Sequence, residues 1–241
     1  MEIRDRVIIA TKVGSDMGQG KKDLSKKWIL QAAEDSLKRL QTDYIDLYQS
    51  HWDDLGTPVA ETLEAYGQLV QEGKVRAIGA SNLSPERLRA SLDASRKKGL
   101  PRYQTLQPNY NLYDRSEYEK NYEPIAREEN LGVIPYFSLA SGFLAGKYRS
   151  EKDLEGRARG AFVKKYLNDR GYKILHALDE VAKSRNATAA QIAIAWLIAR
   201  PSITAPIASA TSIDQLKQLT AAASMNLNRE DVEKLNKASA W

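Results

Sequence analysis

Two reactive residue types follow short apolar runs near the start of the chain. Lys12 ends the run Arg6–Lys12, and His51 comes directly after Tyr44–Ser50. An ammonium group can lower the pKa of a nearby acid or, when desolvated, act as a nucleophilic amine, and an imidazole exchanges a proton near neutral pH. Each residue also has an ordinary interpretation, because a strand-end lysine can extend to water and a lone histidine is often a packed, hydrogen-bonded residue.

Amide, hydroxyl and aromatic side chains follow the later runs. Ser81 and Asn82 come after the third run, Gln107 ends the fourth, Tyr136 ends the fifth, and Ser209–Ser212 leads from the last run into a helical pattern. Amides suit a ligand that carries a carboxamide, a tyrosine offers a face to a flat ring, and a helix N-terminus can hold a phosphate. Loop capping, core packing and a plain N-cap would explain the same residues.

Apolar runs and helical patterns alternate on a cycle of roughly 30 residues, which is typical of parallel strands joined by helices. The predicted strands are Arg6–Lys12, Tyr44–Ser50, Val75–Gly79, Tyr103–Gln107, Val133–Tyr136 and Ile203–Ala208. The predicted helices are Ser25–Leu40, Val59–Gln71 with Thr57 as N-cap, Glu86–Lys98, Ser116–Asn130, Tyr172–Ser184, Ala189–Ala199, Ser212–Ala223 and Arg229–Ala238. The alternation predicts an α/β fold and favours a (β/α)8 barrel, in which these strand-end side chains converge.

The composition excludes several classes of protein. The chain has 241 residues, of which 42% are hydrophobic and 28% charged, so it is not a disordered protein. The absence of cysteine excludes disulfides and thiolate metal sites. Since the sequence also has no apolar run of signal-peptide length, we expect a cytoplasmic protein. The net charge of +5 is spread along the chain, so we expect no nucleic-acid partner, no membrane and no metal. Gly14, Gly18 and Gly20 lack the spacing of a Rossmann or P-loop motif.

Five stretches together resemble the aldo-keto reductases. They are VIIATKVG around Lys12, SLKRLQTDYIDLYQSHW with His51, LVQEGKVRAIGASN ending in Asn82, LQPNYNLYDR with Gln107, and SLASGFLAGKYR after Tyr136. The resemblance spans nearly the whole chain. It implies a TIM barrel without a Rossmann domain that uses a nicotinamide dinucleotide, usually NADPH although NADH is an option, to reduce a small aldehyde or ketone.

The same resemblance implies roles for individual residues. Lys12 and His51 match the lysine and histidine of the catalytic tetrad, Ser81, Asn82 and Gln107 hold the nicotinamide carboxamide, and Tyr136 stacks on its ring. The pyrophosphate and adenosine end would lie on Ser138, Leu139, Ser141, Gly142, Lys147, Ser209, Thr211 and Gln215. Where many members have Gly-Ala-Arg before the last helix, this chain has Ser209-Ala210-Thr211, which removes the cation expected at a 2′-phosphate.

The aspartate and tyrosine that complete the family tetrad have no match. In the family the tyrosine is the general acid, its pKa is lowered by the lysine, and the aspartate pairs with that lysine. No Asp-x-x-x-x-Tyr-Gly stretch occurs in this chain. We therefore expect a single partial domain over residues 1–241 with about six of the eight βα units, truncated at the N-terminus, and impaired turnover. Tyr48 or Tyr110 could replace the acid, but strand alternation points Tyr48 away from the face of His51.

Two other functions fit these residues. A non-catalytic nicotinamide-nucleotide-binding or regulatory subunit of the same fold would keep the cofactor residues and lack the acid. A Schiff-base lyase would use Lys12 as its nucleophile, but beyond the barrel position nothing around Lys12 favours this chemistry.

Overall fold

A computed structural model describes residues 3–157 and 159–241 and divides the chain into two compact units. The first unit runs to Gln107 and includes Ile125–Leu131, and the second contains Pro108–Pro124 and Gly132–Trp241. None of the helices in the described ranges is long and apolar enough to cross a membrane.

The first unit alternates parallel strands and helices, as predicted. Its strands are β1 (Ala10–Val13), β2 (Ile45–Ser50), β3 (Val75–Ser81) and β4 (Thr105–Gln107), and they pair in chain order. Its helices are α1 (Lys26–Leu40), α2 (Val59–Gln71) and α3 (Pro85–Lys98). The α/β class is therefore confirmed.

Local signals account for most of these helix ends. Ser25 accepts a hydrogen bond from the Trp28 backbone at the start of α1, and Ser84 caps α3 ahead of Pro85. The prediction of Thr57 as the cap of α2 is wrong by one residue. Pro58 holds that position without a side-chain cap, because the Thr57 hydroxyl donates instead to Asp54 at 2.6 Å.

Strand register divides the side chains of the first unit between two faces. Lys12 pairs with Gln49, Gln49 with Gly79, and Gly79 with Thr105. Paired residues of parallel strands point to the same side, so these residues define one face, here called the inner face. The alternate residues Tyr48, Ser50, Ile78, Ala80 and Leu106 form the outer face, on which the Tyr48 ring meets Tyr66 of α2 at 5.8 Å.

The second unit is mainly helical. It contains a short strand β5 (Gly132–Val133) and the helices α5 (Gly160–Val163), α6 (Asp169–Ser184), α7 (Ala189–Ile198), α8 (Ile213–Ala222) and α9 (Arg229–Ala238). A π-helix (Tyr118–Tyr122) runs into α4 (Glu123–Glu128), which spans the boundary between the two units, so the predicted helix Ser116–Asn130 is shorter and begins irregularly. Trp196, Tyr110, Tyr166 and Phe143 are among the fully buried side chains of this unit.

The predicted sixth strand, Ile203–Ala208, does not form. Thr204 N donates to Val133 O at 2.8 Å and Ile207 N to Pro135 O at 3.1 Å, so the segment is only tethered to the chain around β5. Pro206 lies between these two contacts and has no N–H to donate, which interrupts the ladder. The described residues thus contain five strands where the sequence predicts six.

Candidate active site

Lys12 lies at the end of β1 on the inner face. Its side chain is half-buried, and burial lowers the pKa of its ammonium group. Within residues 3–157 and 159–241 no carboxylate lies within ion-pair distance of it. The charge of this ammonium group acts on its neighbours, and it is one cause of the lowered pKa of His51.

His51 extends the ladder of β2 by one residue and is held on several sides. Its backbone N donates to Val13 O at 2.7 Å, and its carbonyl accepts from Asn82 Nδ2 at 3.0 Å. The Trp52 ring stacks on the imidazole with centroids 5.6 Å apart, and Ser15 Oγ lies 2.8 Å from Nδ1. Burial and then the charge of Lys12 lower the pKa of His51. Both effects favour the neutral form of the imidazole.

Ser81, Asn82 and Gln107 meet at the ends of β3 and β4. The Ser81 hydroxyl donates to the Gln107 carbonyl at 2.8 Å, and Asn82 Nδ2 donates to Ser81 Oγ at 3.0 Å. Asn82 has φ 50°, a left-handed conformation that asparagine tolerates better than most residues. Gln107 is buried, and its Oε1 has no hydrogen-bond partner in the described part of the chain. That oxygen is a free acceptor for an N–H donor such as the carboxamide of nicotinamide.

The strand register of the first unit thus places Lys12, His51, Ser81, Asn82 and Gln107 at the same edge of four adjacent strands, and hydrogen bonds join Asn82 to His51 and Ser81 to Gln107. It also adds residues that the sequence reasoning missed. Gln49 is 1% exposed, and neither atom of its amide has a partner among the described residues. Gly79 packs closely against it, since a Cβ there would lie 3.1 Å from Gln49 Cγ. The sequence does carry one signal for Gln49: it lies two residues before His51, and residues two apart in a strand point to the same face.

The two tyrosines considered as replacement acids are poorly placed for that role. Tyr48 is fully buried on the outer face, and burial raises its pKa. Tyr110, in the second unit, donates a hydrogen bond from its hydroxyl to Glu119 Oε1 at 2.7 Å, and burial raises the pKa of Tyr110 too. A hydroxyl with a raised pKa is a weaker proton donor, so neither tyrosine is tuned as a general acid.

In the second unit six of the predicted cofactor residues lie along one turn-rich segment between Tyr136 and Lys147. Tyr136 is half-buried and pairs with Asn109 in an isolated bridge. Burial, and then the charge of Asp114, raise the pKa of Tyr136. Ser138 is buried and donates to the Ile207 carbonyl at 2.7 Å, so its hydroxyl is engaged with the chain. Leu139 and Lys147 flank the 3-10 segment Ala140–Ala145; Leu139 is half-buried and Lys147 is exposed.

The segment around Ser141 has unusual backbone geometry. Ala140, Ser141 and Gly142 all have positive φ, at 47°, 59° and 98°. Successive left-handed residues turn backbone N–H groups in new directions, and concave arrangements of such groups can bind anions. Ser141 and Gly142, for which the sequence predicts a pyrophosphate contact, lie in this segment.

The start of α8 is held by its own side chains. Ser212 accepts from Gln215 N, as an N-cap does, and Gln215 Oε1 accepts from both N and Oγ1 of Thr211, at 2.9 and 3.1 Å. Ser209 is exposed. The N-cap interpretation is therefore confirmed, and the roles of Ser209, Thr211 and Gln215 toward a nucleotide stay predictions.

Comparison with known proteins identifies the class of this chain. A sequence profile described as the Aldo/keto reductase family matches residues 1–240. The chain therefore belongs to the aldo/keto reductase family, and the resemblance found in its motifs is confirmed.

Its relatives include bacterial and plant proteins. The aldo-keto reductase YhdN of Bacillus subtilis is 36% identical over 239 residues, which cover 97% of this chain and 70% of that protein. The L-glyceraldehyde 3-phosphate reductase of Escherichia coli is 33% identical over 223 residues, covering 89% of this chain and 64% of its own length. The probable aldo-keto reductase 1 of Glycine max is 32% identical over 242 residues, covering 98% and 67%. The chain thus spans about two thirds of the length of these relatives.

Proposed function

We propose that this protein is an oxidoreductase of the aldo-keto reductase type, which transfers hydride from NADPH, with NADH as an alternative donor, to a small aldehyde or ketone. The observation that carries the proposal is the position of Lys12 and His51 at the same edge of the parallel strands β1 and β2, where His51 N donates to Val13 O at 2.7 Å. The charge of Lys12 helps to lower the pKa of His51. A cytoplasmic location and a single barrel-type domain belong to the same proposal.

The residues of the first unit fit a nicotinamide carboxamide. Gln107 Oε1 is a buried acceptor without a partner, and Asn82 and Ser81 are already oriented beside it by their mutual hydrogen bonds. A carboxamide N–H would satisfy an oxygen whose burial otherwise costs about 1–3 kcal/mol. When bound, the nicotinamide supplies the hydride. Within the second unit by itself, Tyr136 offers an aromatic face, and the backbone from Ala140 to Gly142 offers N–H groups suited to an anion.

His51 and Lys12 would act on the carbonyl group of the substrate and on the proton donor. A neutral imidazole donates a hydrogen bond to a carbonyl oxygen as negative charge develops there, which lowers the barrier to hydride attack. The ammonium of Lys12 favours the ionised form of any nearby acid and so prepares it to give up its proton. Since neither Tyr48 nor Tyr110 is suited to be that acid, we expect this chain to bind the cofactor and to turn over slowly.

Cofactor titration tests the binding step. Adding NADPH or NADH to the purified protein should quench its tryptophan fluorescence, and Gln107→Leu should weaken binding about tenfold because it removes the buried acceptor. The matched control is Gln104→Leu, since Gln104 is an exposed glutamine on the same segment. If neither nucleotide binds, or if both variants weaken binding equally, the proposal is wrong.

Turnover separates this proposal from a second one. A non-catalytic nucleotide-binding subunit is favoured by the outer-face burial of Tyr48 and the engagement of Tyr110 with Glu119, which leave no tuned acid among these tyrosines. With 4-nitrobenzaldehyde as substrate, turnover is measured as the loss of NADPH absorbance. Turnover that is lost when Lys12 or His51 is replaced supports the oxidoreductase. Tight binding with no turnover supports the binding subunit, and rapid turnover contradicts the expected impairment.

A further inference from the structure

The loop after β1 brings a hydroxyl group to the candidate catalytic histidine. Ser15 Oγ lies 2.8 Å from His51 Nδ1. Gly14 makes this approach feasible: it has φ +103°, and a Cβ there would lie 2.8 Å from Leu24 Cδ2 and 3.0 Å from the Trp52 carbonyl oxygen. A residue with a side chain at position 14 would move the loop and take the hydroxyl away from the imidazole.

Ser15 is held in place by contacts of its own loop. Gln19 Nε2 donates to the Ser15 carbonyl at 2.9 Å, and Gln19 Oε1 accepts from Met17 N at 2.7 Å. The Asp16 carboxylate accepts from Gly18 N, and it accepts from Gly20 N as well, at 2.9 and 3.0 Å. The loop therefore carries its own hydrogen bonds, and the position of the hydroxyl does not depend on His51 alone.

The groups that face His51 favour its neutral form, but they do not determine which ring nitrogen carries the proton. Lys12 lies on β1, the Trp52 ring stacks on the imidazole, and Lys22 lies over Trp52 at 4.7 Å. In the described ranges no carboxylate lies within ion-pair distance of His51, and the other histidine, His176, is the one paired with a glutamate. A neutral imidazole carries its proton on Nδ1 or on Nε2, and the partner of one nitrogen decides which.

The hydroxyl of Ser15 supplies that partner. Among the described residues, the contact with His51 is the only hydrogen bond of its Oγ, so its hydrogen has one protein acceptor, Nδ1. We propose that Ser15 is a positioning residue that donates to Nδ1 of His51 and thereby fixes the ring proton on Nε2. This proposal rests on the proposed function, because the Nε2–H is then the group that donates to a carbonyl oxygen. Fixing the tautomer in advance removes the cost of selecting it when the substrate binds.

Nitrogen-15 NMR of labelled histidine tests the tautomer without any activity. The protein has two histidines, so His176→Gln assigns the signals of His51. At pH 8 the Nδ1 signal of the native protein should lie in the downfield range of an unprotonated nitrogen and the Nε2 signal in the upfield range of a protonated one. Ser15→Thr, which keeps the hydroxyl, should leave both unchanged. Ser15→Ala should move both toward the average of two tautomers.

The titration of His51 provides a second readout. Ser15→Ala removes the hydrogen-bond partner of Nδ1, so it should change the pKa of His51 measured in an NMR titration. A protonated Nδ1 in the native protein, or a Ser15→Ala spectrum and titration identical to the native ones, would overturn the proposal.

Kinetics then connect the tautomer to the proposed function. In whatever turnover the protein shows, Ser15→Ala should lower kcat about fivefold to tenfold with little change in nucleotide affinity, and Ser15→Thr should restore kcat. If nucleotide binding and turnover are both absent, the proposed function fails, but the NMR result still decides the role of Ser15. If turnover is present and Ser15→Ala leaves kcat unchanged, the positioning role is wrong.

Discussion

Replacing Gly79 by alanine should destabilise the first unit, because two neighbouring strands already fill the space beside it. A Cβ on Gly79 would lie 2.2 Å from Thr105 Oγ1, 3.1 Å from Gln49 Cγ and 3.2 Å from the Thr105 carbonyl oxygen. Overpacking of this kind costs about 1–3 kcal/mol. Alanine recovers about 0.5–1 kcal/mol by restricting the unfolded chain, so the net loss should lie between about 0 and 2.5 kcal/mol. We expect a loss near the upper end of that range because the approach to Thr105 Oγ1, at 2.2 Å, is so short.

Urea unfolding followed by tryptophan fluorescence measures this loss. Gly79→Ala should lower the midpoint, and adding Thr105→Ala should recover part of the loss because it removes the closest atom, Oγ1, while the carbonyl contact remains. Gly67→Ala is the control, since it lies in α2 and its Cβ would meet only the flexible ring of Pro101, at 3.3 Å. If Gly79→Ala is as stable as Gly67→Ala, or if Thr105→Ala rescues nothing, the packing argument is refuted.

Three further predictions concern the candidate site. Lys12→Met should raise the pKa of His51 in an NMR titration because it removes the cation that lowers it; an unchanged titration would show that burial alone sets the shift. The free energy of unfolding should fall as the pH drops below about 6.5, since the unfolded chain takes up a proton that folded His51, with its lowered pKa, resists. His51→Gln should flatten that slope between pH 6.5 and 5 while His176→Gln leaves it intact, and equal slopes would contradict the assignment. Asn82→Ala should cost about 1–2 kcal/mol in urea unfolding because it loses the bond to the His51 carbonyl in a left-handed conformation, whereas Asn82→Gly should cost less.

The sequence predicts local elements of the first unit well because their signals are local. α2 has the predicted bounds, and Ser25 and Ser84 cap their helices as expected. The segment Ile203–Ala208 was mistaken for a strand because apolar periodicity does not report whether a neighbour can complete the ladder past Pro206.

The residues of the candidate site also differ in whether local sequence signals or the folded structure reveal them. Lys12 and His51 could be predicted because strand ends carry active sites in parallel α/β folds. Ser15 could not, because its approach to His51 depends on a loop conformation that only Gly14 and the turn after it create. Gln49 lies within the predicted strand Tyr44–Ser50, and only the folded structure shows that both atoms of its buried amide lack a hydrogen-bond partner among the described residues.

The distribution of unpaired polar atoms indicates which face of these strands is built for chemistry. On the outer face the Ser50 hydroxyl bonds to the hydroxyls of Tyr66 and Tyr103, at 2.9 and 2.8 Å, while the Tyr48 hydroxyl has no partner within residues 3–157 and 159–241. On the inner face both amide atoms of Gln49, the Thr105 hydroxyl and Gln107 Oε1 lack partners in the described chain. Each costs stability, about 1–3 kcal/mol when fully desolvated, and apolar side chains could have filled the same space. These atoms lie on the same face as Lys12 and His51. The inner face is therefore less stable than an apolar one would be, and its unpaired polar groups are suited to a polar ligand.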